Sequence, residues 1–301
     1  MTSIRCKLPN LIIAGVHKAG STSLYTYLSK HPEICGSFTK EINHFTPLIY
    51  NRDIPELEKY AKFFEHCHGE RFRMEASPSY IYGKAAIAQA IKEGLEDPRI
   101  IMILRDPVDR LVSLFNRAVS NSELPAALSL QEYVTISRQK QNSIERDVYS
   151  TAIREGIYID FIRPWQETFG DDLKVVFFDD LTNDAHGLTS SICDWLKLDP
   201  GCFRPGDFTV ENRTLHYRHK ALHRYIHDYY LRNEAFWRKH HGLKRRLRHV
   251  YNFINAGRAK RRQKGDEATI EKLHEIFATP NQALRAFLEA NNYKSLPAWL
   301  E

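Results

Sequence analysis

Nowhere in this chain does an apolar run approach the roughly 20 residues that a membrane-spanning helix requires. The opening stretch MTSIRCKLPNLIIAGV offers only about half a dozen apolar positions before its first glycine, too short for a secretory signal core as well. The sequence therefore reads as one without an integral membrane segment. Cysteine is scarce: Cys6, Cys35, Cys67, Cys193 and Cys202 are scattered without CxxC spacing. That argues against a zinc site and is most simply matched by a reducing compartment, with Cys193 and Cys202 as the pair that would bond in an oxidising lumen. Carboxylates do not cluster in a metal-like pattern, so no metal is expected. Internal repeats and low-complexity tracts are missing too, which removes solenoids and disordered polymers.

Acidic residues are nearly absent from one region. Residues 216 to 264 hold 15 Lys and Arg against 2 Asp and Glu, with 7 of the 14 histidines, so the net charge of +6 leaves the rest of the chain acidic by about 7. A local basic stretch of this kind is a solvated helical face, a nucleic-acid or membrane contact, or the rim of a site for an anionic substrate. It lacks the aromatic platform of a single-strand binder and the clean apolar face of a bilayer helix.

What is present is an alternation of buried strands and helices. Residues 11–16 form a first strand by their continuous apolar character, followed by a helix over Ser21 to Lys30 that stops at His31-Pro32. Residues 40–50 read as a loop around Pro47, and 55–67 as a helix with Leu57, Tyr60, Ala61 and Phe64 on one face. A second strand lies within 71–82 and ends at Ser77-Pro78; a helix to Gly94 leads to a third strand at 99–107. Asp106 or Asp109 then caps a helix over 110–121. Residues 122–145 read as mobile, 159–170 as a helix closed by Gly170, 173–181 as a fourth strand and 189–198 as another helix. Such alternation predicts an α/β fold with a doubly wound, mainly parallel sheet flanked by helices. The chain is read as a single domain, with a core over about 8–214 and a basic helical C-terminal part over 215–301. That part is broken near Gly242 and Gly257, and its last helix packs on the core.

Two motifs carry chemistry. The first, Gly15-Val16-His17-Lys18-Ala19-Gly20-Ser21-Thr22-Ser23, joins a buried strand to a helix. Gly20 lets the backbone approach an anion, and the amides of Ser21, Thr22 and Ser23 face it with the helix dipole behind them. In a Walker A loop the lysine directly follows the last glycine; here Lys18 precedes Gly20 by two. Lys18 thus projects from the rim, where it can touch an oxygen bridging a held phosphate and a transferable group. The second motif is LRDPVDRLVSLFNR (104–117). Arg105 ends a buried strand and Ser113 lies on the following helix, so one side chain from each can grip a phosphate, whereas Arg110 and Arg117 are explained by ordinary surface charge.

Two anion sites on one crevice suit a nucleotide with phosphates at both ends of its ribose. In this setting GVHKAGSTSL resembles the 5′-phosphosulfate loop, and RDPVDRLVSLF the 3′-phosphate motif, of sulfotransferases that use 3′-phosphoadenosine 5′-phosphosulfate (PAPS). KEINHF (40–45), EASPSYIY (75–82) and the stretch 156–181 are similar to segments of the heparan-sulfate and bacterial carbohydrate-type branch. The resemblance implies a P-loop-like fold, PAPS as co-substrate with no metal required, and Lys18 stabilising the leaving phosphate. Lys18, Ala19, Gly20, Ser21, Thr22 and Ser23 then belong to the 5′ grip, and Arg105 and Ser113 to the 3′ grip. Glu41 aligns with the carboxylate that deprotonates the acceptor, and His44 is the rival base. Ala76 stands where the heparan-type pattern has a lysine. NRTLHYRHK (212–220) is the nearest equivalent of the loop closing over the 3′-phosphate, with Arg218, His219 or Lys220 as its contact. The implied acceptor is a hydroxyl on a sugar or glycolipid, not a nucleic acid. The implied location is the cytoplasm, or a Golgi lumen for a catalytic domain without its anchor. A P-loop kinase and a non-catalytic anion or nucleic-acid binder are the competing readings.

Overall fold

Five short apolar strands make one sheet: β1 (Leu11–Gly15), β2 (Ile34–Gly36), β3 (Phe72–Ala76), β4 (Arg99–Leu104) and β5 (Leu173–Phe177). The computed structural model describes residues 7–121, 123–143, 146–208, 216–217, 229, 247, 256–257 and 266–301. Neighbouring strands are all parallel, in the order β2-β3-β1-β4-β5. A parallel sheet is covered on both faces by its crossovers, so its strands need apolar residues in succession and not in alternation. LIIAG in β1 is buried throughout, as are the last five residues of β4. Each isoleucine or leucine so buried contributes about 1.5–3 kcal/mol.

The connections are α1 (Ser21–Leu28), α2 (Leu57–Ala61), α3 (Lys84–Gly94), α4 (Pro107–Ser120), α5 (Leu130–Lys140), α6 (Ser150–Arg154) and α7 (Ile159–Phe169). Beyond β5 lie α8 (Phe178–Asn183), α9 (Ala185–Leu196) and α10 (Glu267–Ala290). A two-residue antiparallel pair, β6 (His216–Tyr217) and β7 (Ala256–Gly257), completes the described elements.

Several boundaries differ from the sequence reading. The three-residue edge strand β2 was not expected, so the strand at 72–76 is the third in chain order. The helix after β4 starts at Pro107 because Asp106 caps it: Asp106 Oδ1 accepts from the N–H groups of Val108 (2.7 Å) and Asp109 (3.1 Å). Within the stretch read as mobile lies α5, opened by a capping box in which Ser129 Oγ and Glu132 exchange hydrogen bonds. β5 stops at Phe177, where α8 takes over. Gly257 belongs to β7, whereas Gly242 lies outside the described residues.

The chain divides into two compact units, one of 1–110, 157–211 and 276–301 and one of 111–156 and 212–275. The first holds the sheet and a core in which Leu284, Leu288 and Leu300 pack with the strands, so the C-terminal end does join the core. The Val175 N–H donates to Tyr293 Oη at 3.0 Å and fixes that end to β5. In the second unit, Tyr133 Oη donates to the Val148 carbonyl at 2.7 Å and Arg146 pairs with Glu155 at 2.8 Å.

Candidate active site

A parallel sheet presents all its strand carboxyl ends on one edge. The chain leaves β1, builds β2 and β3 on one side and returns to build β4 on the other, so the topological switch point, where α/β sheets take ligands, falls between β1 and β4. The loop bearing Lys18 follows β1, and Arg105 follows β4.

The loop owes its shape to left-handed backbone. Lys18 has φ 69° and Gly20 φ 89°. A side chain on Gly20 would also meet Leu181 Cδ2 at 2.7 Å and Phe178 Cδ2 at 2.9 Å, so glycine is required on both counts. Gly20 is the N-cap of α1; no acidic residue sits in the first turn and no side chain among the described residues caps it. The first amides of α1 are thus left facing outward at the positive end of the helix dipole. Ala19 is buried, as are Ser21 and Ser23, while Thr22 is half-buried. His17 stacks on Tyr82 with ring centroids 5.7 Å apart, which fits a packing role.

Arg105 reaches this loop directly. Its Nη1 donates to the Lys18 carbonyl at 3.2 Å, Nη2 lies 3.5 Å from Asp109 Oδ2, and the guanidinium lies 4.5 Å from the centroid of the Phe178 ring. Tyr158 Oη donates to the Arg105 carbonyl at 2.8 Å, fixing the strand end from which the side chain springs. Ser113 is half-buried in the second turn of α4. Arg117 makes a bidentate surface pair with Glu123 at 2.9 and 3.0 Å, as ordinary charge. Arg110 corrects the sequence reading: it is 0% exposed and neighbours the buried Tyr158, whose hydroxyl is pushed above its usual range mainly by burial. Arg218 and His219 lie outside the described residues.

Glu41 is held at the end of β3, the strand beside β1. Its N–H donates to the Ala76 carbonyl at 3.0 Å, its φ is 63°, and Oε1 accepts from Lys40 Nζ at 2.9 Å. With its side chain 48% exposed it can meet a substrate. Neighbouring strands lie about 4.8 Å apart, so the attachment points of Glu41, Lys18 and Arg105 fall on three successive strands of one edge.

His44 is built differently. It is 4% exposed, stacks on Tyr60 at 4.2 Å with the rings 5° from parallel, and meets Phe45 edge-on at 4.8 Å. Burial pushes its pKa down to about 4, so the ring is neutral near pH 7.

Sequence reasoning missed the group that holds this segment in place. Glu75 in β3 is 0% exposed, and burial pushes its pKa up to about 7. Its Oε1 accepts from Ser77 Oγ and from Tyr80 Oη, the latter at 2.9 Å. Those hydroxyls in turn accept from main chain: Ser77 Oγ from Asn43 N–H at 3.0 Å, and Tyr80 Oη from Phe45 N–H at 3.4 Å. One buried carboxyl therefore anchors both sides of His44 through two hydroxyls. The signal for it was present in MEASPSY, where an acid interrupts an otherwise apolar strand and is followed by hydroxyl residues.

The cysteines also depart from expectation. Cys35 and Cys67 are bonded to each other, whereas Cys193 is buried and free and Cys202 exposed and free. The 32-residue separation hid the pair. His66 lies beside this pair, and with both sulfurs in the bond the three residues offer no thiolate to a metal. None of the described helices is long and apolar enough to cross a membrane.

The chain is similar to several known sulfotransferases. The bifunctional heparan sulfate N-deacetylase/N-sulfotransferase 1 of Caenorhabditis briggsae is 27% identical over 315 aligned positions, covering 100% of this chain and 32% of that protein. Heparan sulfate glucosamine 3-O-sulfotransferase 3B1 of Mus musculus is 28% identical over 194 positions, 64% of this chain and 47% of that protein. The chain thus spans about a third to a half of the length of these curated relatives. A crystal structure of a sulfotransferase from Alicyclobacillus acidocaldarius shares the fold, with a TM-score of 0.69 and 22% identity over 97% of this chain and 99% of that one. The family model described as Sulfotransferase domain matches residues 8–278, a span that takes in the loop of Lys18, the Glu41 segment and Arg105, and the chain belongs to that sulfotransferase family.

Proposed function

We propose that this chain transfers the sulfuryl group of PAPS to an acceptor hydroxyl on a carbohydrate or glycolipid. The observation that carries the reading is the hydrogen bond from Arg105 Nη1 to the Lys18 carbonyl, which joins two anion-binding elements at the switch point of the sheet. A nucleotide with phosphates on both sides of its ribose is the ligand that uses both. In this reading the amides from Ala19 to Ser23 hold the 5′-phosphate, while Arg105 and Ser113 hold the 3′-phosphate, with Arg218 or His219 completing that side.

Sulfuryl transfer, like phosphoryl transfer, asks the protein mainly for in-line positioning and for charge neutralisation. Lys18 supplies positive charge at the oxygen that leaves with the nucleotide. Glu41 accepts the proton of the attacking hydroxyl: it is exposed, flexible in reach and attached on the strand next to β1. His44 is the weaker candidate, because a stacked and buried ring cannot reach a substrate without repacking. All of this works without a metal. The protein acts in the cytoplasm, with a Golgi lumen, which the bond between Cys35 and Cys67 suits better, as the alternative location.

Calorimetric titration with 3′-phosphoadenosine 5′-phosphate, beside ATP with magnesium, tests the reading. Micromolar, metal-independent binding that weakens about thirtyfold in Arg105→Ala supports it. Binding of magnesium ATP alone replaces it with a kinase.

A further inference from the structure

The Cys35–Cys67 bond has a neighbour suited to breaking it. His66 Nε2 lies 3.5 Å from Cys35 Sγ and 4.0 Å from Cys67 Sγ, and 2.9 Å from the Gly36 carbonyl oxygen. Its Nδ1 is buried without a hydrogen-bond partner among the described residues. The Phe38 ring covers the imidazole at 3.8 Å between centroids. The two sulfurs are not equivalent: Cys35 is buried at 7% exposure, while Cys67 is only half-buried. Thiol–disulfide exchange needs an accessible sulfur to attack and a leaving sulfur whose departing negative charge is neutralised. Cys67 offers the first, and Cys35, the sulfur nearer to His66, offers the second.

We propose that Cys35, His66 and Cys67 form a thiol–disulfide exchange site whose substrate is a thiol reductant, either a small dithiol or a dithiol protein. The reductant's thiolate attacks Cys67 Sγ, a new S–S bond forms, and the Cys35–Cys67 bond breaks with its electron pair on Cys35 Sγ. His66 Nε2, the nitrogen nearest to that sulfur, delivers a proton to it. The second thiol of the reductant then attacks the mixed disulfide and releases Cys67 as a thiolate, which takes a proton. The reductant departs as a disulfide, having supplied two electrons, and its two protons replace those now on Cys35 and Cys67.

The bond ties the end of β2 to the turn after residues 62–64, two residues before the segment that leads to Glu41. Its reduction leaves two ties there, the Phe38 N–H, which donates to the Phe63 carbonyl at 3.0 Å, and His66 Nε2 on the Gly36 carbonyl at 2.9 Å.

The test follows reduction of the full chain by dithiothreitol, with alkylation and mass mapping, in wild type, His66→Ala and His66→Gln. Glutamine keeps a donor for the Gly36 carbonyl but has no proton to give. Both variants are expected to form the bond and to be reduced about tenfold or more slowly. With glutathione, the trapped adduct is expected on Cys67, and the Phe38 amide is expected to exchange hydrogen at least about tenfold faster in the reduced protein. Reduction of His66→Gln at the wild-type rate, an adduct on Cys35, or free Cys35 and Cys67 before any reductant is added would each overturn the proposal.

Discussion

The loop after β1 and the segment after β2 both deliver candidate groups to the same edge of the sheet, yet they are held in opposite ways. The Lys18 loop is shaped by its own backbone: two left-handed residues, a glycine with no room for a side chain, and a helix start. The Glu41 to Phe45 segment is held from beneath by side chains, through Ser77 and Tyr80 to the buried Glu75. The first arrangement writes itself into local sequence. The second depends on residues more than thirty positions away and shows only when the chain is folded.

Removing the charge at the loop should separate the two regions most sharply. Lys18→Ala is expected to lower turnover of PAPS about a thousandfold, with the stability of the fold unchanged, as single-turnover kinetics and thermal melts would show. On the other side, Glu41→Gln is expected to lower kcat by several hundredfold with nucleotide affinity intact, while His44→Gln stays within about tenfold. A larger loss in His44→Gln than in Glu41→Gln would move the base to His44.

The buried carboxyl makes the next prediction. Glu75 titrates near 7 when folded against 4.5 ordinarily, so between those values the folded state holds a proton that the unfolded state has lost. Stability from this group is therefore full below pH 4.5 and falls as pH rises towards 7, by about 3 kcal/mol. His44 has the reverse sense: with its folded pKa near 4, it adds stability as pH rises towards 6.5. Glu75→Gln should thus remove the falling branch and expose the rising one, a change of slope readable by urea melts from pH 4 to 8. An unchanged slope would mean that Glu75 is not the protonated anchor. Arg105→Ala is expected to weaken affinity for 3′-phosphoadenosine 5′-phosphate about thirtyfold, in line with loss of a charged hydrogen bond. If the Lys18 loop also loses order in hydrogen exchange, the bond to the Lys18 carbonyl is what keeps it in shape.

Much of the fold was readable in advance, because parallel strands buried on both faces leave long apolar runs, as in residues 11–15 and 99–104. β2 escaped since three residues carry no period, and α5 escaped since its polar face outweighs its apolar one, although Ser129 and Glu132 already marked its start. The placement of Lys18 and Gly20 after β1 and of Arg105 after β4 was legible because strand-to-helix turns have few solutions. Glu75, the burial of Arg110 and the bond between Cys35 and Cys67 were not, since each is a pairing across the fold.

The order of the strands also separates two jobs along the chain. Arg105 and Lys18 are clasped to each other across β1 and β4, while Glu41 hangs from β3 on the far side of β1. Residues 46–70, which follow the Glu41 segment, belong to that far side, held to it by Tyr60 against His44 and to β2 by the bond between Cys35 and Cys67. A change in that stretch would therefore be felt first at Glu41, while the bond between Arg105 and Lys18 stays as it is.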